Sequence, residues 1–145
     1  MPDISEPVFS YPTSVVMFHL YAVVLVGGAL LPNQTALMDF AERPYQSPPG
    51  NGDSFQQAFY LAGGTYTFTV MGEEDANCGR LDWYIDNVKV VSLQDWYAAV
   101  DAKNVVKTAV VTVVGNGRHT LRGVVNDKNG ASTNYVIEIV AYSLS

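Results

Sequence analysis

The stretch TYTFTVM, residues 65–71, alternates strictly between apolar and polar side chains. In an extended chain, one side would carry Tyr66, Phe68 and Val70, and the other side would carry Thr65, Thr67 and Thr69. An alternation with a period of two is typical of a β-strand that has one face on a core. A glycine pair at 63–64 precedes the stretch and indicates a turn. We therefore predict a half-buried strand here.

Six further segments around this strand have strand-like patterns separated by short turn-forming sequences. Between two of them, Asp86 and Asn87 predict a two-residue hairpin turn. Seven strands at such spacing predict an all-β fold, an antiparallel β-sandwich of jelly-roll type. Only residues 34–42 and 93–103 have a helical pattern, and both segments are short. The six segments are residues 55–61, 80–86, 88–93, 105–114, 118–125 and 132–144.

The N-terminal stretch SVVMFHLYAVVLVGGALL, residues 14–31, has no charged side chain unless His19 is protonated. The acidic start of the chain argues against a secretory signal, and the stretch is short for a membrane helix. Its β-branched residues predict an extended apolar strand over residues 15–26. Because both faces are apolar, we expect it to be central in the domain or covered by another chain. The candidate interface with another chain is Val15, Met17, Phe18, Leu20, Tyr21, Val23 and Leu25.

A segment rich in proline and glycine, RPYQSPPGNGD at residues 43–53, predicts a loop or linker. This loop divides the chain into two parts. Residues 1–52 form an N-terminal arm that includes the loop, and residues 53–145 form the β-sandwich domain.

The charge balance limits the partners of this chain. It has 8 basic and 14 acidic residues, a net charge of -6. Proteins that bind phosphate backbones need clustered Lys and Arg, so we expect no nucleic-acid partner. Because the apolar stretch at 14–31 is short for a membrane helix, we expect no membrane partner either. A single cysteine, Cys78, excludes an intrachain disulfide.

Catalytic patterns are missing from the sequence, which has no nucleophile elbow, phosphate-binding loop or zinc-protease motif. We therefore expect no enzyme activity, no catalytic residue and no cofactor. The acidic stretch GEEDANCGRLD, residues 72–82, has oxygen ligands that suit calcium. It lacks the spacing of a helix-flanked calcium loop, so a solvated acidic turn is the favoured interpretation and no metal ligand is assigned.

Four aromatic residues lie close together in the sequence and are candidates for stacking on sugar rings: Trp83, Tyr84, Trp96 and Tyr97. Exposed Trp and Tyr combine an apolar face with a polar tip, which suits a partly wet binding site. On a strand, however, Trp83 and Tyr84 point to opposite faces. At least one of them is therefore expected to belong to the core.

Four motifs resemble a β-sandwich module of tailed-phage virion proteins. They are GTYTF at 64–68, LDWYID at 81–86, GRHTL at 117–121 and KNGASTNY at 128–135. The resemblance spans roughly residues 59–144. In the last motif Gly130 departs from the expected order, and the N-terminal segment has no counterpart in the module.

The phage module occurs in capsid decoration (cement) proteins and in tail-fibre or receptor-binding proteins. The resemblance therefore implies a structural virion protein on the outer surface of a capsid. As a homotrimer it would bind the major capsid protein across neighbouring subunits and stabilise the shell. The alternative that it implies is a carbohydrate- or receptor-binding module of a phage tail or fibre.

Overall fold

Almost all regular structure in this protein is β-strand. The computed structural model describes residues 10–18, 24–26, 29–32, 42–45 and 50–145. Within those ranges there is no helix, and hence none long and apolar enough to cross a membrane. The strands are β1 (Val15–Phe18), β2 (Val24–Val26), β3 (Ala29–Pro32), β4 (Glu42–Tyr45), β5 (Ser54–Leu61), β6 (Gly64–Glu74), β7 (Gly79–Ile85), β8 (Val88–Asp95), β9 (Ala102–Val113), β10 (Gly117–Lys128) and β11 (Ile139–Leu144).

These strands form two antiparallel sheets. The first sheet has the order β3-β4-β11-β6-β9, and β1 also pairs with β11. The second sheet has the order β2-β5-β10-β7-β8. A single cluster of buried apolar side chains fills the space between the inner faces. The predicted all-β sandwich of jelly-roll type is confirmed.

Strand β6 follows the alternation read from its sequence. Tyr66, Phe68 and Val70 are buried in the core, whereas Thr65 and Thr67 are exposed. The strand pairs with β9 on one side and with β11 on the other, so it lies inside the first sheet. The prediction for this strand is confirmed.

The hairpin between β7 and β8 turns at Asp86 and Asn87, whose φ angles are 50° and 66°. Positive φ at both central residues is the mark of a type I′ turn, which matches the twist of the flanking strands. The Asp86 carboxylate accepts a hydrogen bond of 2.9 Å from the Thr120 amide, which fixes the turn to β10. The predicted hairpin turn is confirmed.

The N-terminal segment does not form one continuous strand, so the strand predicted over residues 15–26 is wrong. Residues of β1 pair with β11 in the first sheet, from Val15 opposite Leu144 to Phe18 opposite Ala141. Residues of β2 pair with β5 in the second sheet. A run that is apolar on both faces fits either sheet, and nothing in its period marks the point where the chain changes sheets. Strands from both sides of residue 52 therefore share each sheet.

Two candidate interface residues lie instead in the core of this chain. Met17 is 4% exposed, and Val15 is half-buried against the same cluster. An interface role is wrong for Met17, because its side chain is buried in the chain's own core, and it stays a prediction for the partly exposed Val15. Phe18 and Leu25 lie in β1 and β2. Leu20, Tyr21 and Val23, like His19, fall outside the described residues.

Two boundaries near the C-terminal half also differ from prediction. The final strand was expected over residues 132–144, but β11 begins only at Ile139. The residues before it form a long connection from β10 that packs on neighbouring loops. The helical pattern at 93–103 is wrong, because β8 continues to Asp95 and β9 begins at Ala102. The other helical segment, 34–42, lies outside the described residues apart from Glu42 in β4.

The outer faces of the two sheets differ in chemistry. On the first sheet, the outward positions around the middle of β6 carry neutral side chains, among them Val16, Thr67, Thr108 and Val110. A pocket of ≈ 190 Å³ on this face is lined by Val16, Thr69, Met71, Ala141, Tyr142 and Ser143. On the second sheet, outward positions carry Arg80, Asp82, Tyr84, Lys89 and Arg122. The groups suited to binding a polar ligand are therefore on the second sheet.

Gly123 in β10 makes room for a core aromatic ring. A Cβ atom at this position would lie 2.4 Å from Cζ of Phe55, which is 1% exposed and packs on Trp83. We expect Gly123→Ala to lower the free energy of unfolding by about 1–3 kcal/mol, because the ring must move out of its site. Urea unfolding measures this loss. The control is Gly130→Ala, where a Cβ meets nothing within 4 Å; equal losses in both variants would contradict the prediction.

Candidate functional site

The structure separates the four candidate stacking residues. Trp83 and Trp96 are both 0% exposed, and their indole N–H groups donate to the same atom, Gln94 Oε1, at 2.9 and 3.2 Å. No sugar ring can reach a face of either indole, so the stacking prediction is wrong for these two residues. Tyr84 and Tyr97 are half-buried. The expectation that at least one of Trp83 and Tyr84 belongs to the core is confirmed.

Cations lie against the ring of Tyr84. The Cζ atom of Arg122 is 4.7 Å from the ring centroid, and Nζ of Lys89 is 5.6 Å from it. Among the described residues, no ring or cation packs in this way on Tyr97. Tyr97 is therefore the one of the four candidates that is partly exposed and has no ring or cation packed on it among the described residues.

Polar side chains surround the base of Tyr97 at one end of the sandwich. Its backbone amide donates to Asp95 Oδ1 at 3.0 Å. Asp95 Oδ2 accepts from Arg80 Nε at 3.2 Å and from Asn129 Nδ2 at 3.0 Å. Arg80 Nη1 also lies 3.4 Å from Asp127 Oδ2. We call Arg80, Asp95, Tyr97, Asp127 and Asn129 the loop-end cluster.

Three connections between strands hold the loop-end cluster in place. The Asp75 amide, in the β6–β7 turn, donates to the Trp96 carbonyl, and the Ala98 amide donates back to the Asp75 carbonyl. The β10–β11 connection joins the same turn, since the Ser132 hydroxyl donates to the Cys78 carbonyl at 2.7 Å. Each loop is thus hydrogen-bonded to another loop, so the end of the sandwich is one connected surface.

The carboxylate at the centre of the cluster is kept charged. Burial alone would raise the pKa of Asp95, but hydrogen bonds from Asn129, the Tyr97 amide and Arg80 outweigh it. The net effect holds the pKa of Asp95 below its ordinary value of 3.8. At neutral pH the cluster therefore offers a fixed carboxylate, a guanidinium and an amide, which are groups that hydrogen-bond sugar hydroxyls.

The acidic stretch at 72–82 does not gather its carboxylates around one point. Each of its four acids has a different partner within the described residues, and no group of three or more His, Cys, Asp or Glu forms there. A calcium ion needs six or more converging oxygen atoms. The partners are Lys103 for Glu73, Lys107 for Glu74, the Ala76 amide for Asp75, and Lys89 for Asp82.

His119 is the histidine that the structure describes, and it has a structural environment. It is 4% exposed, with Nδ1 at 2.6 Å from Asp86 Oδ2 and Nε2 at 3.2 Å from the Leu61 carbonyl. Both ring nitrogens are occupied by groups of the chain itself, and the ring packs on Phe59. The His119–Asp86 pair therefore joins the β7–β8 turn to β5 and β10 and presents no free base to a substrate.

Sequence reasoning named Tyr97 as a candidate but did not name the polar residues around it. Arg80 lies in the acidic stretch at 72–82 and Asn129 in the motif at 128–135, and Asp127 is in neither. Their distances in sequence gave no reason to join them. They meet because antiparallel pairing of β7 with both β8 and β10 brings Arg80 opposite Asp95 and Gly79 opposite Lys128.

Solved structures of carbohydrate-binding modules share this fold. The CBM36-1 domain of a multidomain xylanase from the hindgut metagenome of Trinervitermes trinervoides has a TM-score of 0.66 at 20% identity, over 92% of this chain and 97% of that one. A family 35 carbohydrate binding module from an environmental isolate has a TM-score of 0.68 at 12% identity, over 90% and 92%. Carbohydrate-binding module CBM36 in complex with calcium and xylotriose has a TM-score of 0.58 at 17% identity, over 92% and 100%.

At these identities the likeness shows a shared β-sandwich fold. No family model matches the sequence, and no curated protein matches it. The β-sandwich module of the sequence resemblance is thus supported, whereas a phage origin has no support in these similarities. The homotrimer, the capsid partner and the virion location stay predictions.

Proposed function

We propose that this chain is a carbohydrate-binding module that holds a polysaccharide at the loop-end cluster. The observation that carries the proposal is the half-buried ring of Tyr97 beside fixed hydrogen-bonding groups of Arg80, Asp95 and Asn129. An open aromatic face can pack on the apolar face of a sugar, while planar polar side chains bind its hydroxyls. The shared fold with carbohydrate-binding modules supports the same function.

Binding, rather than catalysis, is the function that this geometry supports. The carboxylates of the cluster are engaged by Arg80, Asn129 and backbone amides, as is expected of groups that position a ligand. Calcium has no part in the proposal, because the described carboxylates of the 72–82 stretch diverge. The capsid function expected from the resemblance depended on apolar residues between copies, and Val15 and Met17 lie against the chain's own core.

Replacing Tyr97 with alanine tests the proposal. We expect wild-type protein to be retarded in native gels that contain xylan or mannan, and Tyr97→Ala to bind the retarding polysaccharide at least about tenfold more weakly. The expected loss follows from the open face that the ring offers. Tyr60→Ala is the matched control, because Tyr60 is 57% exposed on β5 and opposes Arg118 near the other end of the sheet. Retardation that is the same in all three proteins, or absent for wild type with every polysaccharide, would overturn the proposal.

A further inference from the structure

A row of side chains crosses the outer face of the second sheet, away from the loop-end cluster. Arg122 on β10 is opposite Gln56 on β5 and opposite Tyr84 on β7, and Tyr84 is opposite Lys89 on β8. Cross-strand partners share a face, so all four side chains are on the side away from the core. We call Gln56, Arg122, Tyr84 and Lys89 the basic row.

The two cations of the basic row differ in whether a carboxylate neutralises their charge. Nζ of Lys89 lies 2.5 Å from Asp82 Oδ2, so its charge is matched. Arg122 has no carboxylate within ion-pair distance among the residues that the structure describes. Its Nε atom is buried and has no hydrogen-bond partner there. The guanidinium of Arg122 therefore has unmet hydrogen-bond donors, although the chain as a whole is acidic.

Stacking holds this guanidinium in one orientation. Its Cζ atom is 4.7 Å from the centroid of the Tyr84 ring, a distance typical of a cation–π contact. Packing on the ring occupies the flat side of the guanidinium, and because Nε is buried, the donors left for a ligand are the two terminal Nη groups. A planar fork of N–H donors matches the two oxygen atoms of a carboxylate, which a sugar hydroxyl matches less well.

We infer that the basic row is a second ligand site, which takes the carboxylate of an acidic polysaccharide on Arg122, with Gln56 beside it for neighbouring hydroxyls. The inference rests on the proposed function, in that it gives a chemical class to the polysaccharide. Its site is separate from the loop-end cluster, because Arg122 lies in the middle of β10 and its partner Tyr84 lies near the end of β7, four residues from Arg80.

Polygalacturonate and the same polymer with its carboxylates methyl-esterified are the probes. We expect Arg122→Gln to weaken calorimetric binding of polygalacturonate at least about tenfold, and to leave binding of the esterified polymer unchanged. Arg122→Lys keeps the charge but loses the fork, so an intermediate loss is expected. Arg118→Gln removes the same charge from an exposed position opposite Tyr60, and we expect it to bind like wild type in moderate salt.

The outcomes separate this inference from the proposed function. Equal binding of the two polymers by wild type, or equal effects of Arg122→Gln and Arg118→Gln, would overturn the carboxylate site and leave the proposed function standing. Loss of xylan or mannan binding in Tyr97→Ala, without loss in Arg122→Gln, supports two separate sites. If Tyr97→Ala binds the neutral polymers like wild type while Arg122→Gln fails on polygalacturonate, the proposed function fails and the carboxylate site remains. Thermal melts of each variant establish that the fold is intact.

Discussion

Trp83→Ala is expected to lower the free energy of unfolding by about 3–5 kcal/mol, the largest loss among the substitutions considered. Trp83 is 0% exposed, and its ring makes edge contacts with Phe55, Phe68 and Tyr142 at centroid distances of 5.5, 5.1 and 5.6 Å. These partners come from β5, β6 and β11, so one side chain joins both sheets. Removing it leaves a cavity that three aromatic rings cannot fill.

Chemical denaturation at pH 7 measures the loss, and a neighbouring residue supplies the control. Tyr84 follows directly on the same strand but faces outward, so Tyr84→Ala is expected to cost less than about 1 kcal/mol. Trp83→Phe keeps an aromatic ring and is expected to fall between them, since Gln94 Oε1 retains the Trp96 indole as a donor. Similar losses for Trp83→Ala and Tyr84→Ala would contradict the central place of Trp83 in the core.

Asp82→Ala is expected to cost about 3 kcal/mol at pH 7, because it removes one partner of a buried charged network. Asp82 is 1% exposed although it lies on the outer face of the second sheet. Its Oδ1 accepts from the Leu93 amide at 2.7 Å, and its Oδ2 accepts from Asn126 Nδ2 at 2.8 Å and contacts Lys89. Leu93 has a φ of 50°, so the carboxylate also fixes a bend in β8.

The contribution of Asp82 should depend on pH in a defined direction. Burial alone would raise the pKa of Asp82, but hydrogen bonds from Lys89, the Leu93 amide and Asn126 outweigh it and hold the pKa below 3.8. A folded-state pKa below the unfolded value gives stability that is present above about pH 4 and is lost as the pH falls through the folded-state pKa. The difference in unfolding free energy between wild type and Asp82→Asn should therefore shrink on acidification.

A carboxylate with a different environment serves as control for this pH dependence. The side chain of Asp127 is 58% exposed and contacts Arg80 at 3.4 Å. Asp127→Asn keeps a side chain that tolerates the positive φ of 67° at this position, so we expect a loss below about 1 kcal/mol. A difference between wild type and Asp82→Asn that stays constant from pH 7 to pH 3 would show that the charge of Asp82 does not stabilise the fold.

Local patterns predicted the parts of this fold that depend on a period or a turn. Tyr66 and Phe68 are placed by an alternation of two, and Asp86–Asn87 by the turn chemistry of two residues. Leu81, Trp83 and Ile85 share a face by the same rule, and all three are buried. The alternation did not predict the burial of Trp96, because this residue lies after β8, a strand whose pairing with β7 is irregular.

The sequence alone did not predict the features that depend on which strands are neighbours in a sheet. The N-terminal stretch is apolar on both faces along its length, so its sequence did not indicate that β1 and β2 belong to different sheets. The loop-end cluster needs Arg80 from the start of β7, Asp95 from the end of β8 and Asn129 from the β10–β11 connection to meet. A single sequence ranks none of these pairings above the others, because the distances between partners are set by the topology of the whole domain.

The pairing of β1 with β11 has a consequence for the order in which this protein folds. Nearly all of the described chain lies between Val15 and its partner Leu144. Closing so long a loop costs entropy that no local contact offsets in advance. During synthesis β1 is made long before β11, so the edge of β11 that faces β1 and the inward side chain of Met17 stay uncovered until the two strands meet. Maturation then proceeds on the millisecond-to-second scale typical of all-β sandwiches, about as slow as small domains fold.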